Sequence, residues 1–87
     1  MAKKIKIDFA KVKNVSDAIF DYSERFGTST ENLPIEKQYW TEYFKKRPAE
    51  KQDLVDIYSD LEYDNIENQD FEPAHNCRVI IDFVNTL

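Results

Sequence analysis

Hydrophobic positions recur along this chain with two different periods, and the changes of period mark its elements. From Lys3 to Phe9, Ile5, Ile7 and Phe9 alternate with Lys4, Lys6 and Asp8. Period-two alternation predicts a strand with one buried and one wet face, its lysines blunting an exposed edge. From Asn14 to Gly27 the period changes: Val15, Ala18, Ile19, Tyr22 and Phe26 fall at three- and four-residue spacing, one apolar stripe of a helix. Ser16 is the first candidate N-cap, with Val15 and Phe20 at the positions of a hydrophobic staple; Asn14 with Asp17 is the alternative. Gly27, the only glycine, stands where a left-handed residue ends a helix.

A polar link, Thr28 to Leu33, leads to Pro34, which suits the first turn of a second helix. Ile35, Tyr39, Trp40, Tyr43 and Phe44 supply its buried side, Lys45, Lys46 and Arg47 favour the negative end of its dipole, and Pro48 stops it. From Ala49 to about Glu62, Leu54, Val55, Ile57, Tyr58 and Leu61 predict a third helix. Residues 57–64 also alternate as a strand would, but the helical match begins earlier, at Leu54, and is preferred. Asn65 to Asn76 has no periodicity and is expected to form an acidic loop. Arg78 to Val84 predicts a second strand, with Val79, Ile81 and Phe83 on one face and Ile80 and Val84 on the other.

The predicted order is strand, helix, helix, helix, strand. It implies an α+β fold: a small two-layer single domain over residues 1–87, its terminal strands paired and its helices on one face. A two-stranded sheet is marginal alone, so the helices, or a third strand near 57–64, must supply the rest of the core. The opening strand and capped helix are barstar-like in outline, whereas the later elements depart from that pattern. At 87 residues the core is small, and twelve aromatic residues compensate for its size.

Charge changes the picture more than composition does. Residues 1–51 carry eleven basic and eight acidic side chains; residues 52–87 carry one basic and nine acidic. The net charge of −5 therefore belongs to the C-terminal part. Gln52 to Glu72 holds eight acids and no Lys, Arg or His. On a helix Asp53, Asp56, Asp60 and Asp64 would follow one another at about 4.5–6 Å along the axis, where like charges repel. Such a field lowers stability and speeds association with a basic surface.

The remaining chemistry is sparse. His75 and Cys77 would face the same way in an extended segment, but no third orienting group accompanies them, so catalysis is not expected. Asp70, Glu72, His75 and Cys77 are metal-ligand types within eight residues, too few in Cys and His for a structural zinc site, and the acids at 60, 62 and 64 lack the glycine of a calcium loop. A single glycine excludes Gly-rich phosphate loops, so no cofactor is expected. One cysteine allows no internal disulfide, the longest apolar run is Val79–Ile81, and the lysines at the start precede no apolar segment; the expected place of action is the cytoplasm, without membrane contact. An acidic chain is not expected to bind nucleic acid directly.

The function expected from these features is inhibition. Small acidic proteins that occupy basic clefts act as mimics of the phosphate backbone, and this chain is similar in size and charge to bacteriocin immunity proteins, nuclease inhibitors and phage anti-defence proteins. The expected partner is a protein with a basic cleft, a nuclease or another nucleic-acid-binding enzyme. The expected contact residues are Asp53, Asp56, Asp60, Glu62, Asp64, Glu67, Asp70 and Glu72, with Tyr63 and Phe71 as aromatic anchors and Tyr58 among them unless it joins the core. The alternative is a non-catalytic adaptor or assembly module using the aromatic face of Tyr39, Trp40, Tyr43 and Phe44. A third possibility is a metal-dependent regulator built on His75 and Cys77.

Overall fold

The computed structural model describes residues 5–87 and contains four α-helices: α1 (Val15–Phe26), α2 (Leu33–Lys46), α3 (Lys51–Glu67) and α4 (Phe71–Asn85). Short 3-10 turns, Thr30–Asn32 and Pro48–Glu50, lead into α2 and α3. Among the described residues there is no β-strand, so the expected α+β arrangement with paired terminal strands is overturned in favour of an all-helical domain.

Both misread segments have a physical explanation. In the first, Ile5, Ile7 and Phe9 are half-buried while Lys6 and Asp8 are exposed, so the alternation of sides is real. What is missing is a partner strand. Arg25 Nη1 donates to the Lys6 carbonyl (2.8 Å), and Asp8 closes a turn by accepting from the amides of Ala10, Lys11 and Val12. Phe9 packs 5.7 Å from the Tyr43 ring, beneath the Arg47 guanidinium. Lys3 and Lys4 of the expected strand lie outside the described residues, and the barstar-like opening has no strand among the described ones. In the second segment, Arg78–Val84 continues a helix that starts at Phe71. Its buried stripe is Ala74, Cys77, Ile80, Ile81 and Val84, at three- and four-residue spacing. The run Val79-Ile80-Ile81 satisfies both periods, and the helical one becomes visible only when Ala74 and Cys77 are included. Pro73, expected to end a loop, is the third residue of α4, where a missing amide hydrogen costs nothing. The expected acidic loop is thus the end of α3, a tight turn at Asn68–Asp70, and the start of α4. Residues 57–64 are helical, the preferred alternative.

Local signals work well at α1. Asn14 is its N-cap, accepting from the Asp17 amide (2.8 Å), while Asp17 Oδ2 accepts from the Lys13 amide (3.1 Å). Ser16 is not the cap, and Phe20, 66% exposed, does not form a staple. Gly27 ends the helix at φ 79°, in the left-handed range that favours glycine.

α2 provides the centre of the core. Tyr39, Trp40 and Tyr43 are fully buried, and Trp40 meets Tyr39 (5.2 Å), Tyr43 (5.5 Å) and Tyr58 of α3 (6.2 Å) edge-on. α3 and α4, joined by the three-residue turn, form a helical hairpin and the most extensively packed pair. α2 packs on α4, and α1 contacts α2 and α3. No helix among the described residues is long and apolar enough to cross a membrane.

Candidate functional site

The two-faced character of α3 creates the first site. Leu54 and Tyr58 point inward. At 3.6 residues per turn, Asp53, Asp56, Asp60, Tyr63, Asp64 and Glu67 fall within an arc of about 100° on the other side, and all six are exposed. Their five carboxylates extend over about 21 Å of helix axis, one per ~5 Å. A single DNA strand carries one charge per ~3.4 Å, so the stripe approaches a nucleic-acid strand in linear charge.

Little inside the molecule neutralises it. Arg78 is the only basic residue after Lys51, and it is committed elsewhere: its Nη2 and Nε make a two-point contact with Glu62 (2.6 and 3.2 Å), and Nη1 lies 3.8 Å from Asp82. That pairing with Glu62 is the main reason the Arg78 pKa is raised. Among the described residues, no salt bridge reaches Asp53, Asp56, Asp60, Asp64 or Glu67. Asp56 accepts a hydrogen bond from Gln52 (2.9 Å). Asp64 and Glu67 lie in the last turn of α3, which has no basic residue, at the end of the dipole that disfavours anions.

The other expected contact residues divide by position. Asp70 precedes α4 without capping it by a side-chain hydrogen bond, and Phe71 opens that helix, 64% exposed. With Tyr63 (64%) and Ile66 (49%), Phe71 places apolar surface beside the acids. Glu62 sits off the stripe, held by Arg78. Glu72 accepts from Thr30 Oγ1 (2.6 Å), linking α4 to the turn before α2. Tyr58 is buried in the core and is not part of the exposed face.

The second site was not foreseen. Glu36 of α2 is 92% buried, and its Oε2 accepts from the Tyr58 hydroxyl (2.6 Å) and the Trp40 indole nitrogen (3.3 Å). Burial pushes its carboxyl pKa up, partly opposed by those two donors. The same proximity, after burial itself, pushes the Tyr58 hydroxyl well above its ordinary value. Glu36 forms part of the wall of a cleft of about 190 Å³ between the helices, which Tyr22, Tyr58, Leu61, Asn76 and Cys77 also line. Its signal was present in the sequence: Glu36 precedes Tyr39, Trp40 and Tyr43 by three, four and seven residues, a carboxylate on a core stripe.

His75 and Cys77 do not face one way. On a helix two residues span about 200°; His75 is exposed and Cys77 buried. Burial first, then Glu36 and Glu62, pushes the thiol up to about 11, which leaves it protonated near neutrality. Among the described residues, no group of three or more His, Cys, Asp or Glu is arranged to hold a metal.

Fold and sites together define a small four-helix domain with a one-sided acidic helix and a buried carboxylate in a cleft. Comparison with protein-family models, curated proteins and solved structures returns no match.

Proposed function

We propose that this protein is a small acidic inhibitor that docks the outer face of α3 into the basic substrate site of a nucleic-acid-processing enzyme and occludes it. Carboxylates take the place of phosphates. The observation that carries the proposal is the five-carboxylate stripe, exposed and without a salt-bridge partner among the described residues. Crowding these acids on one helix, two of them at its C-terminal end, lowers stability. Attraction to a basic partner is the return on that cost. Tyr63 and Phe71 supply rigid aromatic anchors, the side-chain class in which interface energy concentrates. Glu62 and Glu72 act inside the molecule, and the docking face reduces to Asp53, Asp56, Asp60, Asp64, Glu67 and Asp70 with the two aromatics.

The adaptor alternative lacks a surface here, because Tyr39, Trp40, Tyr43 and Phe44 are spent on the core.

The test is a pull-down with the tagged full chain beside a variant carrying Asp53→Lys, Asp56→Lys, Asp60→Lys and Asp64→Lys, its helical content checked by circular dichroism. The expected result is a nucleic-acid enzyme captured by the parent alone and inhibited by it. The proposal is abandoned if parent and variant capture the same proteins equally.

A further inference from the structure

We infer that the cleft behind Glu36 is a binding site for a small organic cation with an apolar body, a primary amine or a similarly protonated nitrogen. This site is separate from the acidic face of α3 and does not depend on the function proposed for it. A cavity of about 190 Å³ holds the equivalent of roughly six waters, which suits a molecule of benzylamine's size. Among the described residues, Glu36 is the only charged one lining it, and no Lys, Arg or His lines the cleft to neutralise the carboxylate. Both of its protein donors, Tyr58 and Trp40, are neutral and converge on one oxygen, Oε2. No donor among the described residues reaches the other oxygen, Oε1.

A buried carboxylate without a counter-charge calls for a cation with hydrogen-bond donors. The walls select its body. Ile19, Leu61 and Pro73 offer apolar contact, and Tyr22 and Tyr58 add aromatic side chains, which attract cations through their ring faces. A divalent metal ion is not favoured by this donor set: Ser23, Thr28, Asn65 and Asn76 add neutral polar groups, but Glu36 is the one carboxylate among the described lining residues, and no group of three or more His, Cys, Asp or Glu is gathered there. An anionic ligand would meet Glu36 directly and be repelled.

Trp40 is the only tryptophan and bonds to Glu36, so its fluorescence reports on the site without a label. The experiment titrates the full chain with benzylamine, with its neutral counterpart benzyl alcohol, and with benzoate, following Trp40 emission and amide shifts by NMR. Benzylamine is expected to bind saturably and at least tenfold more tightly than benzyl alcohol, with shifts centred on Ser23, Asn76 and Cys77, and benzoate is expected not to bind. Glu36→Gln is expected to remove the preference for the amine while helical content is retained. Leu61→Tyr, which narrows the mouth without touching Glu36, is expected to weaken both benzylamine and benzyl alcohol. The inference is overturned if amine and alcohol bind equally, if none of the probes perturbs Trp40 at millimolar concentration, or if the amine's shifts map to the exposed acids of α3 instead.

Discussion

α2 and α3 are neighbours of similar length, 14 and 17 residues, but α2 is rich in aromatics and α3 in acids, and they place both in opposite ways. α2 buries its aromatics and one carboxylate, Glu36, one oxygen of which accepts from two donors. α3 places five carboxylates outside with no salt-bridge partner among the described residues, and leaves Tyr63 among them exposed. A charge held inside needs local compensation, which Glu36 finds in Trp40 of its own helix and Tyr58 of α3. Under the proposed function, the charged stripe left outside at the expense of stability finds its compensation in a partner. Changes in α2 should therefore act on folding, whereas changes in α3 should act on recognition.

The largest expected effect lies in α2. Trp40→Ala removes the ring that joins α2 to Tyr58 and should cost about 3–5 kcal/mol in chemical denaturation. That is most of the stability of a marginal domain, so the variant should be largely unfolded near body temperature by circular dichroism.

Glu36 should give a smaller and more diagnostic result. Glu36→Ala leaves the Tyr58 hydroxyl and the Trp40 indole without their acceptor and should cost about 1–3 kcal/mol. Glu36→Gln retains an acceptor, removes the charge, and should not lower stability at neutral pH. The sign of the pH dependence follows from the raised folded-state pKa. The folded protein holds this proton more tightly than the unfolded chain, so the stability contributed is complete below the unfolded carboxyl value of about 4.3. It declines as pH rises through the folded value. Denaturation of parent and Glu36→Gln across this range should show the parent losing stability relative to the variant as pH rises. A constant difference would contradict the buried, destabilised carboxylate.

The smallest effect on folding belongs to α3, and its sign should be reversed. Asp64→Asn with Glu67→Gln relieves repulsion along the stripe and an unfavourable dipole contact, and should raise stability by about 1 kcal/mol at low salt. The gain should shrink as salt screens the exposed charges. The same pair of changes should weaken capture of the partner. A gain in stability coupled to a loss of binding separates a functional acidic face from a merely solvated one; loss of both would place these acids in the structure of the helix.

The sequence signals were clearest where one local rule dominated. Asn14, Gly27, Pro34 and Pro48 mark helix boundaries through backbone chemistry that tertiary structure does not reverse. Periodicity failed in short apolar runs. Val79-Ile80-Ile81 fits a strand and a helix equally, and Pro73 hid the start of α4 because proline is as compatible with a first helical turn as with a loop. Ile5, Ile7 and Phe9 alternate truly between sides, but alternation reports burial and not pairing. The exposed acids were visible in composition, whereas the intramolecular contacts of Glu62 and Glu72 depended on partners in distant elements, Arg78 and Thr30. Glu36 was masked by being one acid among seventeen. Its place on the stripe of Tyr39, Trp40 and Tyr43 distinguished it.

The most direct test of the acidic face uses the captured partner. Its affinity for the parent chain would be measured by calorimetry at about 50 and 200 mM salt, a range over which phosphate-like contacts weaken strongly, and again with a short DNA duplex as competitor. Docking through carboxylates at a nucleic-acid site predicts a steep loss of affinity with salt and displacement by the duplex. Affinity indifferent to salt, together with simultaneous binding of duplex and protein, would contradict it.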